Sequence, residues 1–419
     1  MPQVAKLAIN GNRLQSQIDE LALISENGPP VVTRILFSEA DLRGRAFVKK
    51  LAEEAGLHLR QDAIGNIFVR WAGQNPDLPA VATGSHIDAI PNAGKFDGVV
   101  GVLGALEAIR ALQGAGIHPK RSIELIIFTA EEPTRFGLGC IGSRLLAGTM
   151  SPEKAALLKD RDGTTLESWR TQVGWADGDL GSVRLPQHRY SAFVELHIEQ
   201  GPLLDKEKIP IGIVEKIAAP STLRLELTGV GGHAGAVLMP ERHDALLAGA
   251  EIALAVEQAA LTSGSADTVA TTGIFRIEPG AVNSVPCQAH LEIDLRDTQA
   301  LTRDSALAQI ERSVREICRR RGVTSDLERV ATDPPVICDP KLVSLIDQTC
   351  STLGVPAKRM ISRAYHDSSF MAQVCPTAMI FIPCRNGYSH RPDEYSSPEQ
   401  IKTGVTVLAH TLASLSSAD

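Results

Sequence analysis

The spacing of apolar and polar positions divides the chain into three stretches. Over the first two-fifths, helix-like and strand-like patterns alternate, as in an α/β domain. Residues 14–25 repeat apolar side chains at helical spacing, and 40–55 do so after an acidic start. Residues 63–71, 80–83 and 123–129 read as strands, the second running into a polar turn, and 99–112 as a helix rich in Val, Leu and Ala. The pattern changes after Gly212. From about residue 218 it predicts a strand (223–227), a glycine turn (229–235), a long helix (243–261), two strands (268–275 and 289–296) and a helix (303–320). That β-α-β-β-α order resembles a small ferredoxin-like α+β insertion. From about residue 327 the chain returns to short apolar strands and one helix. The expected organisation is an α/β domain formed by residues 1–217 and 328–419, interrupted by an inserted domain at 218–327.

A chain of 419 residues is long enough for two domains. A formal net charge of −7, with no basic run, argues against nucleic acid as a partner. A small anionic substrate must then be held by a few placed cations. Apolar runs such as 123–130 and 378–383 are strand-length, far short of the ~20 residues that span a bilayer, so no membrane partner is expected. The start, MPQVAKLAINGNRL, lacks the features of a secretory signal, and a cytoplasmic location is expected. Seven dispersed cysteines without a CxxC pair fit reduced thiols, and none reads as a zinc thiolate.

Four segments carry the chemistry. In TGSHIDAIPNAGKFDG, His86 and Asp88 share a face of extended backbone. Asp88 is then expected to accept the free ring N–H of His86 while the other nitrogen binds a metal. Asp97 lies just before the 99–112 helix, where a carboxylate could bridge two cations near a positive helix end. In TAEEPTRF, one of Glu131 and Glu132 can ligate metal while the other deprotonates water, and either order is open. ELHIEQG places His197 and Glu199 on one strand face, and YSHRP places His390 on a loop. His86, Asp97, Glu132, His197 and His390 together offer three imidazoles and two carboxylates, a donor set for Zn²⁺, Mn²⁺ or Co²⁺ among which spacing does not choose. With Asp97 bridging, each ion would have two further ligands and room for water, the pair lying ~3.5–4 Å apart.

GSHIDAIPNAGKFDGVVGVLGALEA, TAEEPTRFGLGCIGSRLLAG, ELHIEQGPLL, GGHAGAVLMPERHDAL, PGAVNSVPCQAHLEIDLRD and IPCRNGYSHRPDEYSSPEQI, in that order, resemble the M20-type hydantoinase/carbamoylase amidases. The similarity runs from about residue 61 to 415. EEPTRFG, GHAGAVLMP, SRAYHDSSFMA and the IPCRNGYSHRPDEYSSPE ending are most similar to the branch acting on ureidoglycolate. The resemblance implies a two-domain M20 metallopeptidase-like α/β fold whose inserted domain serves as lid and dimerisation domain. It implies hydrolysis of the ureido group of a small carboxylate substrate and two divalent ions, manganese first, with Zn²⁺, Co²⁺ or Ni²⁺ as alternatives. By motif position, His86, Asp97 and His197 would hold one ion, and Asp97, Glu132 and His390 the other. Glu131 would be the general base and Asp88 would support the ligands. His233 would stabilise the oxyanion, Asn283 would close over the substrate and Arg296 would clamp its carboxylate, supplied across a homodimer. Gln200 and His366 would contact the ureido end.

Plainer readings stand beside these. His233 sits among Gly231, Gly232 and Gly235, where an incidental histidine on a flexible turn is the simple alternative. Arg296, in DLRD, could pair only with Asp294 or Asp297. His243 and His290 read as structural, and Arg319–Arg321 as a solvated helix end. Rival activities are an N-carbamoyl-L-amino acid or allantoate amidohydrolase, a metallo-aminoacylase or peptidase, and a binding protein without catalysis. Retention of Glu131 with all five ligand positions speaks against the last, since a binder needs no base.

Overall fold

The computed structural model describes residues 7–418, which form two compact units. The strands used below are β1 (Ala80–His86), β2 (Ile123–Phe128), β3 (Tyr190–Ile198), β4 (Ala219–Thr228), β5 (Val269–Glu278), β6 (Gln288–Asp297), β7 (Thr324–Thr332) and β8 (Thr377–Ile382). The helices are α1 (Val99–Gly114), α2 (Ile141–Ala147), α3 (Ala245–Leu261), α4 (Ala300–Arg321), α5 (Pro340–Leu353) and α6 (Pro398–Ser417).

The first unit comprises the chain up to Glu215, then Ile337–Met360 and His366 onward. It is built on a nine-stranded sheet. Four central strands, in the order β8-β3-β1-β2, run parallel. Their carboxyl ends therefore emerge along one edge, where open α/β sheets gather ligands. β1, β2 and β8 are buried at every position, as strands covered on both faces should be. Helix α1 packs on β1 and β3 and against α6. Its Val100, Leu103, Leu106, Ile109 and Leu112 are fully buried, each stabilising by roughly 1.5–3 kcal/mol relative to exposure. A Cβ at Gly101 would lie 2.4 Å from the Leu196 carbonyl oxygen, so only glycine lets α1 come this close to β3.

The second unit, Lys216–Val336 with Ile361–Tyr365, holds an antiparallel sheet in the order β5-β6-β4-β7. In chain order it reads β4-α3-β5-β6-α4-β7, the ferredoxin-like arrangement that the sequence pattern predicts. Leu223, Leu225 and Leu227 of β4 and Leu291, Ile293 and Leu295 of β6 point to one face and pack with Ile252 and Val256 of α3 and Ile310 and Val314 of α4.

Three expectations need correction. The strand expected at 80–83 continues to His86, because Gly84, Ser85 and His86 stay in register with Ile126, Ile127 and Phe128. The break expected after residue 327 falls inside β7, which pairs with β4 as far as Thr332 and carries the second unit to Val336. The last stretch contains two long helices, α5 and α6, where one was expected; both start at a proline behind a side-chain cap, from Asp339 and Ser397. All seven cysteines are free, and among the described residues no helix is long and apolar enough to cross a membrane.

Candidate active site

The ends of the four parallel strands bring together the residues singled out above. His86 closes β1, Glu131 and Glu132 follow β2, His197 is the penultimate residue of β3, and His390 stands on the loop after β8. Asp97 precedes α1, separated from it by Gly98 at φ +64°. A Cβ at Gly98 would come 2.5 Å from His86 Nε2, so glycine is required for the turn and for the room beside the imidazole.

Asp97 is the centre of the cluster. Its Oδ1 lies 3.1 Å from His197 Nε2 and 3.6 Å from His86 Nε2. Its Oδ2 lies 3.3 Å from His390 Nε2, which is also 3.3 Å from Glu132 Oε1. The two carboxylate oxygens thus face two separate donor groups: His86, Asp97 and His197 on one side, and Asp97, Glu132 and His390 on the other. The tautomers follow from hydrogen bonds. His86 Nδ1 donates to the Asp88 carbonyl (3.0 Å) and His197 Nδ1 to the Ile198 carbonyl (2.9 Å), so neither Nε2 carries the ring proton; both lie near Asp97 Oδ1, and that of His197 also accepts the Gly98 N–H at 3.2 Å. Lone pairs of two imidazoles and a carboxylate converging at this range repel unless a cation or shared proton lies among them. The donor set therefore fits a pair of divalent cations, with oxygen and nitrogen ligands and no sulfur.

Electrostatics agree. Burial pushes the His390 imidazole down, but Asp97 and Glu132 more than reverse it and raise it to about 11. Burial likewise opposes protonation of His86 and His197, and their carboxylate neighbours, with Glu131 foremost at His86, outweigh it. Asp97 is held well below the usual carboxylate range: burial would raise it, and the three imidazoles overcome that. Glu131 moves the opposite way, well above the ordinary glutamate range, through burial and the nearby Glu132 and Asp367 charges.

Glu131 occupies a different place from Glu132. Its Oε2 is 3.6 Å from His86 Nε2, and it belongs to neither three-residue group. Its main chain is clamped, with the carbonyl accepting from the Cys140 N–H (2.9 Å) ahead of α2. The Asp88 carboxylate accepts the N–H of Glu132 (3.0 Å) and, more weakly, that of Glu131 (3.4 Å). Asp88 thus accepts the His86 ring N–H as expected, but through its main-chain carbonyl; its carboxylate, 3.6 Å from the same ring nitrogen, accepts from the N–H groups of the two glutamates. Ala130, Cys140, Gln200 and His390 all adopt φ between 55° and 59°, costly for residues with a Cβ, and all four adjoin this cluster.

Of the other expected residues, Gln200 donates from Nε2 to Asp97 Oδ2 at 2.6 Å. His366 is buried with its ring 4.6 Å from that of His197. Glu195, His197 and His366 form a third close group. Its ligand atoms are already engaged: Glu195 accepts from Ser85 Oγ (2.8 Å) and Ser368 Oγ (2.5 Å), and His197 Nδ1 donates to the Ile198 carbonyl. His233, Asn283 and Arg296 belong to the second unit. His233 is exposed on a two-stranded ribbon, with the Ala234 N–H donating to the Asn283 carbonyl at 2.8 Å. Arg296 makes the bidentate pair with Asp294 (2.7 and 3.1 Å) that the plainer reading anticipates. His243 Nδ1 meets the Arg321 carbonyl (3.1 Å), and His290 sits between Glu226 and Glu292. Sequence reasoning passed over Ser389 and Glu394, which flank His390; nothing in a loop rich in charged residues marks a glutamate that will be buried.

Residues 82–414 match peptidase family M20/M25/M40. The chain belongs to that family. The family is generally dependent on two metal ions, and this M20 chain carries candidate groups of ligands for them. It is 52% identical to the ureidoglycolate hydrolase of Arabidopsis thaliana, over 98% of this chain and 88% of the relative. It is 35% identical to the N-carbamoyl-L-amino-acid amidohydrolase of a Pseudomonas species, over 97% and 98% of the two chains. The solved structure of AtUAH in complex with glyoxylate superposes with a TM-score of 0.94 at 52% identity, over 98% of each chain. The M20 chain is thus a hydrolase of carbon–nitrogen bonds other than peptide bonds.

Proposed function

We propose that the chain is a two-metal amidohydrolase that cleaves the ureido group of ureidoglycolate. The observation carrying the chemistry is Asp97, whose two oxygens face separate imidazole groups at 3.1–3.6 Å. The substrate rests on similarity to ureidoglycolate hydrolase, 52% against 35% for a carbamoyl amino acid amidohydrolase.

His86, Asp97 and His197 would hold one cation and Asp97, Glu132 and His390 the other, with Mn²⁺ the expected metal and Zn²⁺, Co²⁺ or Ni²⁺ fitting the same donors. When bound, such ions polarise the ureido carbonyl and make water a stronger acid. Glu131, outside both groups and with its proton affinity raised, takes a proton from the attacking water and returns it to the departing ammonia. The remaining carbamate loses carbon dioxide, and the hydroxyglycine left collapses to glyoxylate and a second ammonia. His233 is set up as a donor: its Nδ1 accepts the Gly235 N–H at 3.1 Å, so a neutral ring carries its proton on Nε2, available to an oxyanion. Arg296, pre-oriented by Asp294, would take the substrate carboxylate and Asn283 would close over the substrate, both supplied across a homodimer, while Gln200 and His366 would contact the ureido end. Ammonia and glyoxylate release by Mn²⁺-loaded protein, offered ureidoglycolate, allantoate and N-carbamoyl-L-amino acids in parallel, tests this. Preference for ureidoglycolate is expected; preference for a carbamoyl amino acid would retain the site and refute the substrate.

A homodimer belongs to the same reading. Strand β5 lies at an edge of its sheet, and α3 exposes Leu247, Leu254 and Leu261 at seven-residue spacing, two turns apart on one helix face. A second copy pairing there would cover both. Leu254→Glu is expected to convert a sedimenting dimer to monomer; an unchanged dimer would place the interface elsewhere.

A further inference from the structure

One buried acid beside the cluster has no part in the chemistry above. Glu394 is four residues beyond His390 and only 4% exposed. Its Oε1 accepts the main-chain N–H of Phe96 (2.8 Å) and of Asp97 (3.1 Å). Its Oε2 lies 2.8 Å from Ser389 Oγ, which is also 2.8 Å from Asp97 Oδ2. The segment around Asp97 is shaped to this side chain: a Cβ at Gly94 would come 2.4 Å from Glu394 Cβ. Next to it, the Tyr395 ring meets the Phe96 ring edge-on at 6.0 Å, and the Tyr395 carbonyl accepts the Arg385 N–H at 2.8 Å.

Burying a second carboxylate next to Asp97 is unfavourable, since both are taken from water and like charges repel. An apolar side chain of the same size would fill the space without that cost. What it could not supply is an acceptor for two N–H groups that lie on the approach to α1. Those contacts join two segments nearly 300 residues apart: the turn carrying Asp97 and the loop carrying His390.

We propose that Glu394 is a positioning residue that locks the His390 loop to the main chain of Asp97, and so sets the geometry of the Asp97–Glu132–His390 half of the metal pair. This rests on reading those three residues as ligands. Ser389 completes the lock by joining Glu394 to the Asp97 carboxylate itself. The lock requires an acceptor at position 394 and does not require a charge. Glutamine keeps the acceptor and can donate to Ser389 Oγ; methionine fills the volume and offers neither.

The test is Mn²⁺ retention by the full chain, measured as metal per protein across a dipicolinate titration. Wild type is expected to retain two equivalents and His390→Ala one, which tests the ligand reading by itself. Glu394→Gln should release metal at the wild-type chelator concentrations. Glu394→Met should keep the His86–His197 equivalent and lose the other at about tenfold lower chelator or less, the scale on which partners of metal ligands act. Equal release curves for Glu394→Met and Glu394→Gln, with His390→Ala behaving as expected, would overturn the inference and leave the ligand reading intact. If Glu394→Met does not fold, Ser389→Ala decides: a several-fold shift in release of the same equivalent supports the lock, and no shift overturns it.

Discussion

Asp97→Asn is expected to lose both cations together and to reduce turnover by about 10⁴-fold or more. The reason lies in the division of the side chain: Oδ1 faces His86 and His197, while Oδ2 faces His390. Asparagine preserves the volume but turns one oxygen into an N–H donor, which cannot ligate. It also removes the charge that holds three imidazoles in one cluster. Each ion is worth several kcal/mol to the transition state, and every 1.36 kcal/mol is tenfold in rate. Loss of both therefore exceeds the effect expected of any terminal ligand, which should release one ion. Metal content after gel filtration and ammonia release from ureidoglycolate read the two consequences separately. A variant that holds two equivalents, or retains more than about one-hundredth of wild-type activity, would contradict a bridging role.

Glu131→Gln should behave in a contrasting way, keeping both metals and near-normal KM while kcat falls by about 10²–10⁴-fold, the range for loss of a general acid–base group. Glu131 stands apart from both donor groups, with Oε2 3.6 Å from His86 Nε2. Its neighbour Glu132 faces His390. Burial raises Glu131 above the ordinary glutamate range, as a group that both takes and returns a proton requires. Its main chain is held by Cys140 and Asp88, so the amide should occupy the same place. Steady-state kinetics beside metal analysis decide the matter. Turnover within about fivefold of wild type, or loss of a metal equivalent, would remove Glu131 from the role of base.

Much of this site was legible because its residues sit where strong local patterns end. Strands β2 and β8 are apolar runs, and the polar residues after them had to emerge at a sheet edge. Gly98 and the apolar α1 marked Asp97. The ferredoxin-like unit was readable because its strands alternate and its helices are long. What stayed hidden depends on contacts between distant segments. Alternation placed His86 and Asp88 on one face but could not reveal that the Asp88 carboxylate is drawn to the N–H groups of Glu131 and Glu132, over 40 residues away. Glu394 looks like any acid in a polar loop until the turn before α1 folds against it. The domain boundary expected after residue 327 fell short because β7 has no buried position, and its polar composition conceals a strand that pairs at a sheet edge.

Anomalous diffraction from crystals of the Mn²⁺-loaded protein would decide whether two cations share Asp97. Two peaks about 3.5–4 Å apart are expected, one beside His86 and His197 and the other beside Glu132 and His390, with Asp97 between them. A single peak, or a peak held by Glu195 and His366, would contradict it.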